Sequence, residues 1–270
     1  MNWLGLPAQA SEHAARMDSF LVLVHLVIIA GFMFWTTWFC WALVKFRVKK
    51  NPKADYHGIK SKLPYVPVAF MVAADFALLF GLSIPFWHDE INAVPKPGED
   101  VTELRVIAQQ FQWNFHYPGP DGIFGRTDNR LIDGQLNFIG LDSDDPNSED
   151  DVVMLGRMHL PVNKEVLIHL SSKDMVHSMN LPEFRIKHDA IPGMRIPVYF
   201  KPTMTTAEFR ELTGNPERDF EIACAQLCGN LHFTMRGFIT VESQEEFDAW
   251  YQAELELKAE AAEDDWFFDE

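Results

Sequence analysis

Two apolar runs open the chain. From Phe20 to Val44 there is no Asp, Glu, Lys or Arg. Wound as a helix at ~1.5 Å per residue, that run is ~37 Å long and crosses a ~30 Å hydrocarbon layer with some tilt. A second run, Pro64 to Trp87, carries a single acid, Asp75. The pattern predicts a transmembrane hairpin over 20–88, with helices at about 18–46 and 64–87, after an outer N-terminal segment, 1–19. A cleavable leader fits poorly. The first run exceeds an apolar core of ~7–15 residues, basic residues follow it, and Ala8-Gln9-Ala10 has no apolar run before it.

Downstream the period falls to two, the signature of strands. In FQWNFHY, Phe111, Trp113, Phe115 and Tyr117 share one face, with Gln112, Asn114 and His116 on the other. Val166, Ile168 and Leu170 repeat the pattern, as do Ile196, Val198 and Phe200, and FTMRGFITVES reads as a last strand. Asp133-Gly134, between Leu131-Ile132 and Leu136, is a hairpin signal. Short strands with turns between them predict an all-β sandwich or barrel over 95–242. LDSDDPNSEDD (141–151) reads as an exposed acidic loop, and TTAEFRELTGNPERD (205–219) as a surface helical turn. The tail, 243–270, is acidic, with helix formers in its middle.

Charge orients the hairpin. Lys45, Arg47, Lys49, Lys50, Lys53, Lys60 and Lys62 face only Asp55 in the loop between the runs, which places that loop in the cytoplasm and the β domain outside. The chain as a whole carries −16. An acidic outer domain suits a basic soluble partner, although acids also serve plain solubility. No internal repeat and no C-x-x-C-H haem motif occur.

The candidate chemistry sits in EIACAQLCGNLHFTMRG (221–237). Two of the three cysteines lie here, Cys224 and Cys228, followed by His232 and Met235. A disulfide is permitted outside the cell but leaves the histidine and methionine unexplained. Zinc has little use for a thioether, and a mononuclear blue-copper site takes one thiolate and two imidazoles. Two thiolates can bridge two copper ions, which need a second imidazole from elsewhere. His177, expected in a strand-end loop, is the leading candidate. His188, in another expected loop, is its rival, ahead of His116, His159 and His169. Dinuclear copper is the favoured reading, with another metal or a disulfide as alternatives.

CAQLCGNLHFTM resembles the binuclear copper A motif of the cytochrome c oxidase subunit II family. HDEIN (88–92), QQFQWNFHY, KDMVHSMNLPEFRIKHDAIPGM and the two apolar runs occur in that family's order. The resemblance implies a two-helix transmembrane hairpin followed by an all-β cupredoxin-like sandwich/barrel domain. It implies that Cys224 and Cys228 bridge both coppers, that His177 and His232 bind one each, and that Met235 and the carbonyl of Gln226 are weak axial ligands. His188 is then not a ligand. The family often has Glu at position 226, where the side chain helps hold magnesium against subunit I; Gln226 keeps the carbonyl and lacks the charge. Electrons from a c-type cytochrome would arrive at Phe111, with Trp113 the other candidate for the path, and Asp174 and the loop 142–151 are candidates for donor docking. The haem acceptor and the oxygen chemistry would lie in subunit I, and the chain would sit in a bacterial inner membrane with its soluble domain in the periplasm. A family glutamate near the second helix is absent, with Lys60 at about that place. Asp75 is expected to face subunit I. A copper A subunit of a nitric oxide reductase and a non-enzymatic copper-binding protein are the alternative readings.

Overall fold

The computed structural model describes residues 5–268 apart from 51, 54, 55, 59, 97, 99 and 135, so Asp55 of the basic loop and the residue after Asp133-Gly134 lie outside the described residues. The chain divides into two compact units, residues 16–93 and residues 1–15 with 94–270.

The first unit is helical. Helix α1, Ala14–Lys45, begins four residues before the expected boundary. A second helical stretch consists of α2 (Tyr65–Leu78), a wide π turn (Leu79–Ser83) and α3 (Ile84–Ile91). The π turn has a local cause. Pro85 has no N–H to give the carbonyl four residues back, and its ring crowds that turn. Widening the coil there relieves the clash, and Ile84 N donates to Leu79 O instead. Both stretches are long and apolar enough to span a bilayer.

The second unit is a β-sandwich. Its strands are β1 (Val101–Gln109), β2 (Gln112–Tyr117), β3 (Val152–Leu155), β4 (Arg157–Pro161), β5 (Glu165–Ser172), β6 (His177–Leu181), β7 (Ile186–Ala190), β8 (Ile196–Phe200), β9 (Phe220–Cys224) and β10 (Arg236–Glu242). One sheet has the order β3-β2-β1-β5-β8, the other β4-β10-β9-β6-β7. Most pairs are antiparallel, but β1 runs parallel to β5 and β10 parallel to β4. Period-two side chains of both sheets form one core, with Trp113, Phe115, Val166, Ile168 and Leu170 from one and Met179, Phe220, Ile222 and Ile239 from the other. Helix α4, Thr206–Thr213, fills the insertion at 205–219. It is closed by a Thr205–Glu208 capping box and by Gly214 at φ +65.

The polar face of β2 is fully buried at Asn114 and His116, and three expectations need correction. The segment 118–151 lies over it, because the Asp151 carboxylate accepts from His116 Nε2 at 2.6 Å and from the Gly119 and Gly125 amides. For the same reason 141–151 is not simply an exposed acidic loop. The Asp133-Gly134 hairpin lacks strands: Leu131 closes a 3-10 turn, and Asp133 N bonds Asn137 O in an irregular loop. His177 and His188 lie in strands β6 and β7 rather than in loops, since HSMNL pairs with both β7 and β9.

The two ends of the chain also join the sandwich. Ala10 N donates to Glu183 O, and Thr203 N to Ala10 O. Helix α5, Gln244–Phe268, docks its first turns through Tyr251 Oη to Pro118 O and through Trp250, stacked on His159 at 4.1 Å.

Candidate metal centre

Strand register assembles the centre. Strands β9 and β10 pair with Ala223 opposite Arg236, so the next pair, Cys224 and Met235, faces across the mouth of the loop and Cys224 N donates to Met235 O. On its other side β9 pairs with β6, Met179 opposite Cys224, and Ala225 N extends that ladder to Ser178 O. The ladder therefore delivers His177 to the loop. Between the two cysteines and β10 the chain turns tightly, with a 3-10 turn at His232–Thr234.

The donor atoms converge. Cys224 Sγ and Cys228 Sγ are 3.8 Å apart and both thiols are free. A disulfide would bring them to ~2.05 Å. His177 Nδ1 stands 3.9 Å from Cys224 Sγ, and His232 Nδ1 stands 3.5 Å from Cys228 Sγ. Met235 Sδ is 3.7 Å from Cys228 Sγ, and Gln226 O is 3.2 Å from Cys224 Sγ. These separations fit metal ligation. Two sulfurs ~2.3 Å from one tetrahedral ion stand ~3.8 Å apart, and a sulfur and an imidazole nitrogen ~3.6 Å apart. The ligand atoms of His177, Cys224 and Cys228 lie within 4.8 Å of one another, and His232 falls outside that trio. Each imidazole thus neighbours a different sulfur. Cys228, Met235 and His177 are buried, while Cys224 is half-buried. Burial and the adjacent Cys224 push the Cys228 thiol up to about 11, so an incoming metal ion has to displace its proton.

Around this set lies a second ring of contacts that the sequence did not announce. Asp174 Oδ1 accepts from His177 Nε2 at 2.8 Å and from Met175 N at 2.7 Å, and Asp174 Oδ2 accepts from Gln110 N at 2.7 Å. Burial acts to raise the Asp174 pKa. The hydrogen bonds from His177, Gln110 and Met175 together outweigh it and hold the carboxyl below the usual range. The carboxylate is therefore occupied in fixing the ring of His177, leaving Nδ1 aimed at the sulfurs. Asp174-x-x-His177 is a spacing that could have signalled this pair. Gln110 gave no such signal, because a glutamine before an aromatic strand reads as solvent-facing.

The remaining sequence candidates are placed as follows. Phe111 is half-buried against the loop, and a Cβ on Gly229 would meet its ring at 3.0 Å. Trp113 is fully buried, with its ring centroid 6.4 Å from that of His177 in an edge contact. Its burial keeps it from touching a soluble donor directly. His116 bonds Asp151, His159 bonds Glu242 and His169 bonds Glu103. In the loop 142–151, Asp142 is paired with Arg126, and Asp145 caps a 3-10 turn.

Comparison with known proteins identifies the family. A family profile described as cytochrome c oxidase subunit II, periplasmic domain, matches residues 103–243, more than half of the chain. The alternative cytochrome c oxidase subunit 2 of Bradyrhizobium diazoefficiens is 35% identical over 228 residues, covering 83% of this chain and 76% of that protein. The cytochrome c oxidase subunit 2 of Cereibacter sphaeroides is 28% identical over 268 residues, covering 92% and 79%. Among solved structures, the periplasmic domain of subunit II of the cytochrome oxidase of Bradyrhizobium japonicum is 25% identical, covering 59% of this chain and 95% of that one, with a TM-score of 0.39. With the profile spanning most of the sandwich and the first of these relatives matching along most of both chains, this chain belongs to the cytochrome c oxidase subunit II family.

Proposed function

We propose that this chain is the subunit through which a respiratory cytochrome c oxidase takes up electrons, and that it holds two copper ions. The thiolates of Cys224 and Cys228, shared between the ions, and Nδ1 of His177 and His232 would hold them, with Met235 Sδ and the Gln226 carbonyl as weaker donors. The observation that carries this reading is the pair of sulfurs 3.8 Å apart with each imidazole beside a different one. A single tetrahedral ion would need both imidazoles within reach of both sulfurs, whereas His232 stands outside the trio of His177, Cys224 and Cys228.

Two copper ions held there would supply a one-electron store. The protein's part is rigidity. Cys224 and His177 are fixed by paired strands, and Met235 by its strand-edge contact with Cys224, so little reorganises when an electron arrives. Weak axial donors adjust copper potentials, which gives Met235 and Gln226 a tuning role. The donor is a c-type cytochrome with a basic surface, drawn by the chain's negative charge. It contacts the turn carrying Gln110 and Phe111 and the apolar rim of Leu227, Leu231 and Phe233, all three exposed. Asp174 adds charge beneath that surface while holding His177. Electrons then pass to haem in subunit I, where oxygen is reduced. The soluble domain faces the periplasm from a bacterial inner membrane. Gln226 is exposed and uncharged, so a magnesium ion at the contact with subunit I would lack one carboxylate there.

The test mixes the copper-loaded chain with a reduced basic c-type cytochrome. Rapid oxidation of the donor is expected, slowing as salt rises and absent in Cys224→Ser. Transfer that ignores salt would remove electrostatic docking, and transfer that survives Cys224→Ser would remove the bridging assignment.

A further inference from the structure

The turn between β1 and β2 reaches the metal loop through one residue. Gln110 Nε2 donates to Cys228 O at 2.6 Å and contacts Met175 Sδ at 3.3 Å, while its backbone N–H donates to Asp174 Oδ2. Asp174 in turn holds His177. One residue therefore touches both halves of the ligand set, the Cys228 side through its side chain and the His177 side through its backbone. The loop is shaped to admit it. Gly229 sits at φ +133, and a Cβ there would lie 2.8 Å from Gln110 Nε2 and 3.0 Å from the Phe111 ring. Only a glycine lets the Gln110–Phe111 turn close onto the loop at this point.

We propose that Gln110 is a positioning residue that clamps the Cys228 peptide and thereby sets the copper geometry, a role that rests on the copper reading above. Cys228 is buried and its sulfur lies between Cys224, His232 and Met235. A bond to its own carbonyl fixes the peptide from which that sulfur hangs. Without the clamp, the sulfur is free to shift by the few tenths of an ångström to which copper–thiolate spectra and potentials respond. Since Gln110 also lies in the turn that faces the donor, the clamp mechanically joins the docking surface to the centre.

The decisive variant is Gln110→Leu, which keeps side-chain bulk and loses only the side-chain hydrogen bonds, leaving the backbone bond to Asp174. Gln110→Asn, one methylene too short to reach Cys228 O, is the companion, and Gln112→Leu, a neighbour outside this network, is the control. Full-length chains are loaded with copper. Copper content, visible and paramagnetic resonance spectra, reduction potential and copper loss to a chelator are then recorded. We expect both Gln110 variants to bind two coppers, with altered hyperfine splitting, a displaced potential and copper retention weakened ~10–100-fold, as for other outer-shell partners of metal ligands. The control should match the parent protein. Spectra, potential and retention in Gln110→Leu and Gln110→Asn equal to the parent's would overturn the clamp while leaving the copper reading intact. A parent protein without a two-copper signal would overturn both.

Discussion

Replacing Asp174 by alanine tests the link between sequence spacing and metal geometry most sharply. The substitution removes a carboxylate that accepts from His177 Nε2, Gln110 N and Met175 N. The His177 side chain is fully buried, so its Nε2 loses its protein acceptor. An orphaned buried donor costs ~1–3 kcal/mol. The two amides sit near the surface and recover solvent, and the carboxylate is itself about a third exposed. The metal-free domain should therefore lose only ~2 kcal/mol, discounted for that exposure. Copper binding should suffer separately. With its ring no longer held, His177 presents Nδ1 less often, and affinity should fall ~10–100-fold. Asp174→Asn keeps an acceptor for His177 and should lose less on both counts. The assays are thermal unfolding of the metal-free chain and competition for copper against a chelator, run in parallel. An Asp174→Ala protein with parental copper affinity and spectrum would refute the orienting role. If that same protein took electrons from its donor more slowly, docking charge would be the residue's whole function.

Four further outcomes are expected. Met235→Leu should retain both coppers, because the thioether is a weak ligand in a buried, well-packed position, but shift the reduction potential; loss of copper would make Met235 a strong ligand instead. Copper uptake should release protons and weaken as pH falls, since the Cys228 thiol sits at about 11 in the metal-free chain; calorimetry in buffers of different ionisation enthalpy counts those protons, and a pH-independent affinity would contradict the assignment. Burial lowers the pKa of His116, so below its ordinary value of 6.5 the unfolded chain takes up a proton that the folded chain resists; stability should therefore hold above that pH and decline beneath it. Asp151→Ala, which orphans the buried His116 Nε2 and the Gly119 and Gly125 amides, should cost at least the ~1–3 kcal/mol of one unmet buried donor by chemical denaturation.

The candidate metal loop was legible because its donor residues are local. Cys224, Cys228, His232 and Met235 fall within one turn, and their spacing alone restricts the chemistry. The strands β2, β5 and β8 were legible because one face of each packs into the shared core. What escaped the sequence is what depends on register and on cover. Asn114 and His116 alternate like solvent-facing residues, yet a distant carboxylate, Asp151, brings a loop down over them. His177 reads as a loop residue until β6 pairs with β7, His177 opposite Ala190, and makes it the first residue of a strand. Asp174 reads as a surface charge because nothing in its neighbours reveals that Gln110, 64 positions away, will donate to it. The parallel pairing of β1 with β5 and the joining of Ala10 to the Glu183 segment are long-range choices of the same kind.

The central claim is that Cys224 and Cys228 bridge two metal ions rather than close a disulfide or hold one. The direct measurement is paramagnetic resonance of the full-length, copper-loaded, oxidised chain, with copper counted on the same sample. Two coppers per chain and the hyperfine pattern of one electron shared equally between two copper nuclei are predicted, with that pattern lost in Cys224→Ser. One copper per chain, or a pattern from a single nucleus, would contradict the account.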